Sequence, residues 1–471
     1  MEYSKTAKRN RTLRRILVRG ALQKPRILGF IAVSILLYTW FSYTRDKSKL
    51  PPPSYKRLWK WQQDLPQHNL NLPFPEGRTG RYLKFSCEIK QLGWNNVFNE
   101  LLMNAHLAYE TQRAFVFQDY FWKDEYYQWP ESRSYWSTSY WYPMQTPLNA
   151  LISGPTAGGP WAPGDDTPRS VSNKYWKTVC PSRERKRIYT RDIKPAIANS
   201  PGDEIFAHWK KIILDTPERC VEIVPAPRKQ DNYPQVFDLW LWGSSRILPL
   251  WESFSKSPVS QLLDSSPIVK AAIVRNKFLF SPRDRAGWTK NPYDRMMAMH
   301  IRRGDFKEAC LNLAYWNSTF YSWNLMPSLP DPLDMPLHLG WNTPAYNVAI
   351  LERCLPDAES IVDKARRARE EYLGSLGSQE KNLDIMYLLT NEKGEWLEEM
   401  KKALEKDGWS MIVTSSDLEL NSEETDVSMA IDMDIARMAA VFIGNGWSSF
   451  TSNIVHRRFI DGKLPISMRF W

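Results

Sequence analysis

Four short apolar segments in the carboxyl-terminal part of the chain constrain its fold more than any other feature. They cover residues 296–301, 385–390, 411–414 and 440–445, and helical patterns over 395–405 and about 425–438 precede the last two. Each segment is apolar at consecutive positions instead of alternate ones, which is typical of strands buried on both faces. This order of strands and helices predicts an α/β fold with a parallel sheet covered by helices. Ligands of such sheets bind beyond the carboxyl ends of the strands.

A similar alternation begins near residue 81. The apolar segment 82–85 leads through the sequence QLGWNN into a helical pattern over 97–112, and the apolar segment 114–117 follows. A strand, a glycine turn, a helix and a second strand predict a Rossmann-like unit. Asn95 and Asn96 stand at the predicted start of the helix, where they either cap it or help to face an anionic ligand.

Tryptophan, tyrosine and proline are dense between about residues 120 and 294, and no topology follows from the pattern there. Aromatic residues at this density form either the core of an irregular domain or a surface on which carbohydrate stacks. We therefore predict a first Rossmann-like domain with aromatic-rich insertions over residues 81–294, and a second over residues 295–471.

The sequence HIRRGDF stands at the end of the apolar segment 296–301. Because side chains alternate along a strand, His300 and Arg302 point to one face, while Ile301 and Arg303 point to the other. A guanidinium is a planar, permanently charged donor that suits phosphate oxygens, so Arg302 is the candidate ligand for an anion. Arg303 is expected to pair with Asp305 or another nearby carboxylate. An adhesion role for the RGD tripeptide would need an exposed loop tip, and the buried lead-in argues against it.

The second candidate stretch is DMDIARMAAVFIGNGWSSFTS, residues 432–452. Its strand ends near Asn445, and a short turn then delivers Ser448, Ser449 and Thr451. Their hydroxyls, with the amides at the start of the next helix, predict a phosphate cradle that needs no metal.

The same stretch contains Asp432-Met433-Asp434, which matches the metal-binding DxD pattern of many enzymes that use nucleotide sugars. A metal loop should follow a strand and be exposed, whereas these residues fall inside a predicted helix. Asp434 also lies within the apolar stripe of that helix. We therefore predict no metal site here.

Most of the net charge of +11 lies at the amino terminus. Residues 1–26 hold nine Lys or Arg and one Glu, which leaves only +3 for the rest of the chain. A nearly neutral body argues against a nucleic-acid groove.

Residues 27–43 form an uncharged run of 17 residues that ends in Tyr38, Trp40, Phe41 and Tyr43. The run is at the short end of a membrane-spanning helix, and its aromatic end resembles an interfacial belt more than a cleavage site. The positive-inside rule leaves residues 1–26 in the cytosol and sends the remainder into the lumen. The sequence thus predicts a single-pass type II protein of the Golgi or endoplasmic reticulum membrane.

Residues 44–80 are rich in proline and lack a sustained apolar period, so we predict a stalk of extended or irregular chain there. All five cysteines lie beyond residue 80, on the predicted luminal side, where disulfides persist. Up to two bridges and one remaining thiol are expected, with the pairing open. Asn317-Ser318-Thr319 is a glycosylation sequon on the same side.

Three of these motifs resemble the GDP-fucose-dependent fucosyltransferases, in particular the protein O-fucosyltransferase group and its α1,6-fucosyltransferase relatives. HIRRGDF is similar to the family's His-x-Arg-Arg/x-Gly/Thr-Asp segment. Residues 432–450 fit its Asp-x-x-Ile-x-x-x-Ala-x-x-Phe-Ile-Gly-Asn-x-x-Ser-Ser-Phe pattern without a gap. LGWNN is similar to the amino-terminal block of the family, although poorer in glycine. The three motifs cover under a tenth of the chain, and the carboxyl-terminal one is the most specific.

The resemblance implies a GT-B-like fold, in which two Rossmann-like domains face each other, and metal-independent, inverting transfer of fucose from GDP-fucose to a protein or glycan acceptor. No cofactor is implied beyond this donor. Arg302 would bind the β-phosphate and the glycosidic oxygen, and His300 and Asp432 would lie near the guanine and ribose. The diphosphate would be held by Ser448, Ser449 and Phe450, and Asn96 would lie on the acceptor side.

The carboxylate that would activate the acceptor is not identified by the sequence. Asp305 and Glu308 follow the strand and are the first candidates, and Glu88 and Glu100 near the first block are alternatives. Some members of the resembled family lack such a base. A catalytically silent relative that binds a glycan or protein is therefore the alternative function, and another nucleotide-sugar donor is a third.

The type II topology predicts that a carboxyl-terminal tag on the full chain is protected from protease in intact microsomes. The tag should become accessible when detergent opens the vesicles, and an amino-terminal tag should be digested in both conditions. Immunoblotting measures both tags. Digestion of the carboxyl-terminal tag in intact vesicles would contradict the predicted orientation.

Overall fold

The computed structural model describes residues 52–86, 92–123, 126–129, 144–227, 229–231, 233–281, 291–304, 306–377 and 382–471. Its strands are β1 Tyr82–Phe85, β2 Ala114–Phe117, β3 Tyr120–Phe121, β4 Gln145–Thr146, β5 Ile152–Ser153, β6 Val171–Ser172, β7 Arg185–Tyr189, β8 Cys220–Val224, β9 Asp264–Ser265, β10 Met296–Ile301, β11 Ile385–Thr390, β12 Met411–Thr414, β13 Val441–Gly444 and β14 Met468–Phe470. Its α-helices are α1 Lys56–Gln63, α2 Trp94–Glu110, α3 Leu148–Leu151, α4 Asn173–Val179, α5 Thr190–Ile197, α6 Gly202–Leu214, α7 Leu239–Trp242, α8 Trp251–Lys256, α9 Pro258–Gln261, α10 Pro267–Asn276, α11 Phe306–Tyr315, α12 Pro344–Cys354, α13 Ala358–Ser375, α14 Glu395–Lys406, α15 Ser422–Asp426, α16 Ser428–Met438 and α17 Ser449–Ile460.

Two five-stranded sheets organise the molecule. The first has the order β6-β2-β1-β8-β7 and the second the order β12-β11-β10-β13-β14. Every neighbouring pair in both sheets is parallel. The predicted α/β class with parallel sheets is therefore confirmed, and the four predicted strands of the carboxyl-terminal part correspond to β10, β11, β12 and β13.

Strand β10 shows why these segments are apolar at consecutive positions. Met296 and Ala298 pack into one hydrophobic cluster, and Met297 and Met299 pack into another on the opposite face. All four side chains are fully buried. Because both faces of the sheet are covered, neither face tolerates polar residues.

Residues 52–80, the described part of the predicted stalk, are folded against the body, which corrects the stalk of extended or irregular chain expected there. Tyr55, just before α1, is 2% exposed, and its hydroxyl donates to Oδ2 of Asp426 over 2.7 Å. Gln67 is buried, and its Nε2 donates to the carbonyls of Gly158 and Ser170 over 2.9 and 2.8 Å. The sequence did not reveal this packing, because the contacts that hold the segment join residues far apart in the chain.

Residues Pro53–Trp471 form one compact unit. The domain boundary predicted at residues 294 and 295 falls just before β10. The predicted cytosolic tail, residues 1–26, and membrane segment, residues 27–43, lie outside the described residues. No helix in the described ranges has the length and apolarity needed to cross a membrane.

Two disulfides connect neighbouring elements. Cys180 at the end of α4 bonds Cys220 at the start of β8, and Cys310 on α11 bonds Cys354 on α12. The two bridges agree with the number expected from the sequence. Cys87 lies outside the described residues.

The packing of α1 generates a stability prediction. Tyr55→Phe removes a hydrogen-bond donor from the buried Asp426 carboxylate, and we expect the free energy of unfolding to fall by about 1–3 kcal/mol. Urea denaturation measures the change. Trp61→Phe on the same helix is the control, because Trp61 is 46% exposed and its variant should stay within about 0.5 kcal/mol of the parent. Equal stability of the two variants would contradict the packing of this segment.

Candidate functional site

A cleft of about 510 Å³ lies at the carboxyl ends of strands from both sheets. On the side of the first sheet, the cleft is lined by the start of α2 and by residues that follow β2. From the second sheet, it is lined by the ends of β10 and β11, by α16 and by the start of α17. In the second sheet, β11 and β12 follow on one side of β10, and β13 and β14 follow on the other side. The strand order therefore reverses at β10, which makes this position a topological switch point. Open α/β sheets bind ligands at such switch points.

His300 is the last polar side chain of β10 and lines the cleft. Its Nδ1 lies 3.2 Å from Oγ1 of Thr451, and its ring centroid lies 4.7 Å from that of Phe450. Burial, and to a smaller extent the nearby Arg302 cation, lower the pKa of His300 to about 3. The imidazole is therefore neutral near pH 7 and can offer a ligand a hydrogen bond but no charge.

The two arginines that follow β10 separate as the sequence predicts. Arg302 lines the cleft together with His300. Arg303 turns away, and its guanidinium lies 4.5 Å from the ring centroid of Trp396 and 3.8 Å from a carboxylate oxygen of Glu392. Its Nη1 also donates to the carbonyl of Pro356 over 2.9 Å. The carboxylate expected beside Arg303 is thus Glu392, and Arg303 has a structural role.

Asp432 lines the cleft from α16. Its carboxylate accepts hydrogen bonds from the hydroxyls of Tyr387 and Ser415, the latter over 2.8 Å. Burial raises the pKa of Asp432 to about 6, although both hydrogen bonds oppose this shift. A carboxylate held in this way can accept hydrogen bonds from the hydroxyls of a ligand.

The neighbouring acid of the DxD pattern has a different role. Asp434 is buried, and its Oδ1 lies 3.2 Å from Nη1 of Arg437 and 3.9 Å from Nη2 of Arg457. Both acids lie within helix α16, where the sequence predicted them. In the described ranges, no group of three or more histidine, cysteine or acidic side chains is arranged to hold a metal ion.

Ser448, Ser449 and Phe450 line the cleft at the amino-terminal end of α17. Ser448 caps this 12-residue helix, and its Oγ accepts a hydrogen bond from the amide of Phe450 over 3.2 Å. The amide dipoles of the helix therefore point toward the cleft, and such helix ends favour anions.

The turn before α17 depends on small residues and on a neighbour that the sequence did not reveal. A Cβ atom at Gly446 would come within 2.3 Å of the Phe320 ring. Asn324 donates to the carbonyl of Gly446 over 2.8 Å. Phe320 and Asn324 thus fix the turn, and only the packing of a distant loop identifies them.

The first sheet contributes the opposite wall. Helix α2 begins at Trp94 with Gly93 as the N-cap residue and without a side-chain cap, so neither Asn95 nor Asn96 has the expected capping role. Both asparagines line the cleft, and the carbonyl of Asn95 accepts a hydrogen bond from Nδ2 of Asn453 over 3.1 Å. This contact ties the start of α2 to α17.

Aromatic rings cover much of this wall, and the sequence did not single them out. Trp94, Tyr120, Trp122 and Tyr126 all line the cleft. The Tyr120 ring lies 5.3 Å from Trp94 and 5.1 Å from Trp122, centroid to centroid, in edge-on contacts. Tyr120, Trp122 and Tyr126, at the start of the aromatic-rich region, therefore line the cleft, and Tyr120 packs against its neighbours. Stacking of carbohydrate on these rings stays a prediction.

Of the candidate catalytic carboxylates, the two that lie in the described ranges, Glu308 and Glu100, do not line the cleft. Glu308 is exposed on α11 and does not line the cleft, so its catalytic role stays a prediction. Glu100 is buried elsewhere and accepts hydrogen bonds from the amides of Val236 and Phe237 over 3.1 and 3.3 Å. Burial raises the pKa of Glu100 to about 8.

The other two candidates, Asp305 and Glu88, lie outside the described residues. Among the described residues that line the cleft, Asp432 is the single carboxylate.

Several solved structures resemble this chain over most of its length at low sequence identity. POFUT1 in complex with GDP-fucose is 14% identical over 81% of this chain and 95% of that chain, with a TM-score of 0.45. NodZ α-1,6-fucosyltransferase soaked with GDP-fucose is 12% identical over 79% of this chain and 91% of that chain, with a TM-score of 0.34. A variant of Arabidopsis thaliana FUT1 in complex with GDP is 10% identical over 86% of this chain and 73% of that chain, with a TM-score of 0.34.

No family model matches the sequence, and no curated protein matches it either. At TM-scores below 0.5, these likenesses do not establish the function of this chain.

The environment of Asp432 generates a pH prediction. Its pKa is about 6 in the folded state against 3.8 for the ordinary carboxyl, so the folded chain binds the proton more tightly than the unfolded chain. Protonation therefore stabilises the fold below about pH 4, and this contribution is lost as the pH rises through about 6.

We expect the unfolding free energy of the parent minus that of Asp432→Asn to fall between about pH 4 and pH 6.5 and then to level off. Other titrating groups cancel in this difference, because asparagine does not titrate and the rest of the chain is shared. Urea denaturation at several pH values measures it. A difference that stays constant over this range would contradict the raised pKa.

Proposed function

We propose that this chain is a glycosyltransferase that transfers fucose from GDP-fucose to a protein or glycan acceptor. One observation carries the proposal: Arg302 and the start of α17 line the same cleft, at the switch point of the second sheet. A guanidinium beside the positive end of a helix dipole suits a diphosphate. The fit of residues 432–450 to the fucosyltransferase pattern supports fucose as the transferred sugar.

In this proposal, the residues of the second sheet hold the donor. The hydroxyls and amides at Ser448, Ser449 and Phe450 bind the diphosphate, and Arg302 neutralises the charge that grows on it as the glycosidic bond breaks. His300 contributes a hydrogen bond from a neutral ring. Asp432 accepts hydrogen bonds from the hydroxyls of the nucleoside portion. The acceptor approaches from the wall that carries Asn96 and the aromatic rings.

A metal-independent, inverting reaction is part of the proposal. Arg302 and the helix amides supply the electrostatic stabilisation that a divalent cation supplies in other enzymes of this kind. We also propose that the chain is a type II protein of the Golgi or endoplasmic reticulum membrane with the cleft in the lumen.

A catalytically silent relative is the second candidate. The observation that favours it is that Asp432, committed to the donor in this proposal, is the single carboxylate among the described lining residues. The two candidates differ in one experiment, which is incubation of the full-length protein with GDP-fucose and a broad panel of acceptors. A folded protein that has no affinity for GDP and shows neither hydrolysis nor transfer would favour the silent relative, whereas fucosylated product would exclude it.

The donor site predicts a graded effect of two substitutions. Arg302→Ala should lower kcat about 10² to 10³-fold, because it removes stabilisation that grows in the transition state. His300→Ala should weaken GDP binding by about 1–2 kcal/mol, the value of a lost hydrogen bond. Steady-state kinetics and calorimetry with GDP measure these effects.

Arg303→Ala is the matched control, since it changes the next residue of the same type. It should lower the melting temperature through the loss of the Trp396 and Glu392 contacts and leave the activity of the folded fraction intact. Near-normal turnover in Arg302→Ala, with loss of turnover in Arg303→Ala at unchanged stability, would contradict the assignment of the two faces.

A further inference from the structure

A second cavity, of about 460 Å³, lies at the carboxyl edge of the first sheet. Gln118 and Asp119 line it directly after β2, and Asn173 lines it directly after β6. Helix α1 and helix α4 provide its sides. The function proposed for the cleft makes no use of this cavity.

A two-stranded ribbon separates the second cavity from the cleft. Strands β3 and β4 are antiparallel, and Phe121 lies directly opposite Gln145. Both of these residues line the second cavity, whereas Tyr120 and Trp122, on either side of Phe121, line the cleft. Because side chains alternate along a strand, the two sites lie back to back across one ribbon.

The base of the second cavity is preorganised by internal hydrogen bonds. The carboxylate of Asp119 accepts from Nε1 of Trp59 over 2.8 Å, from Nε2 of Gln62 over 2.9 Å and from the amide of Leu148 over 3.3 Å. The Trp59 indole is therefore held in place, half-buried, at the wall of the cavity. With three donors already bound, Asp119 serves the architecture of the cavity.

Other polar groups of the cavity retain hydrogen-bonding capacity. Gln118 uses Nε2 to donate to the carbonyl of Phe85 over 2.8 Å, and within the described ranges its Oε1 receives no hydrogen bond. The carboxamide of Gln145 makes none with the described part of the chain. Lys174 donates to Oε1 of Gln63 over 2.7 Å, and no described carboxylate lies within 4 Å of the Lys177 ammonium.

These groups suit a ligand with many hydroxyls. A carboxamide both donates and accepts hydrogen bonds, as a hydroxyl does, so glutamine side chains satisfy sugar hydroxyls in either sense. The Trp59 and Phe121 rings supply apolar surface for the carbon-bound hydrogens of a sugar ring. The two lysines at the rim add donors for hydroxyls or for an acidic substituent.

We propose that the second cavity binds one sugar unit of an oligosaccharide acceptor, while another unit of the same chain enters the cleft across the β3–β4 ribbon. The acceptor role rests on the function proposed for the cleft, but the binding of the saccharide does not. The cavity thereby narrows the acceptor class from protein or glycan to an oligosaccharide of at least two units.

The test is binding of the full-length protein to an array of defined oligosaccharides, neutral and sialylated, in the absence of nucleotide. The affinity for the glycans that bind is then measured by calorimetry. Gln145→Leu should weaken it about tenfold, as expected for one or two lost hydrogen bonds. Gln230→Leu is the matched control, because Gln230 is exposed and lies outside the cavity. The Gln230→Leu variant should bind these glycans with the same affinity as the parent.

Lys177→Ala is the second variant. Because Lys177 is exposed, this substitution should leave the fold intact even if Gln145→Leu fails to fold. It should weaken binding several-fold, and loss of a preference for sialylated over neutral glycans in this variant would also support the proposal. The affinity for GDP should be unchanged in both cavity variants.

Absence of glycan binding, or binding that neither variant weakens, would overturn the proposal for the cavity. Glycan binding that persists in a protein without affinity for GDP would support the cavity and reject the function proposed for the cleft.

Discussion

The buried guanidinium of Arg458 holds together the elements on which the donor side of the cleft depends. Arg458 is fully buried on α17, and its Nη1 donates to the carbonyls of Ala436 and Ala439 over 3.0 and 2.6 Å. Its Nη2 donates to the carbonyls of Ala440 and Ser467 over 3.0 and 3.1 Å. Burial lowers the pKa of Arg458 to about 10, so the group stays charged at neutral pH. A buried cation is tolerated only where such acceptors surround it, and the carbonyls at the end of α16 carry the negative end of a helix dipole.

This set of hydrogen bonds fixes the relation between α16, α17, β13 and the approach to β14. Asp432 lies on α16, and Ser448 caps α17, so the two sides of the donor site share one anchor. The anchor lies in the interior, away from the cleft. The positions of the side chains that face the ligand are therefore set by contacts that the ligand does not make.

Hydrogen bonds between the amino-terminal and carboxyl-terminal parts of the chain position the wall of the cleft that faces the donor site. Asn453 on α17 donates to the carbonyl of Asn95, and the Asp426 carboxylate accepts hydrogen bonds from Tyr55, Trp129 and Thr146. Asp426 ends the helix that precedes α16, whereas its three partners belong to the amino-terminal part of the chain. The aromatic wall, the β3–β4 ribbon and the donor site are thus connected through buried polar groups, which are stabilising only when every partner is in place.

The sequence by itself determined the features that depend on local pattern. Consecutive apolar residues specified β10 to β13, the alternation of side chains separated Arg302 from Arg303, and the helical period placed Asp432 and Asp434 inside a helix. Tertiary structure alone decided which side chains meet. It folded residues 52–80 against the body, left Glu308 exposed, buried Glu100 and built the second cavity from α1, α4 and the β3–β4 ribbon. These outcomes depend on contacts between residues far apart in the chain, and local propensity carries no information about such partners.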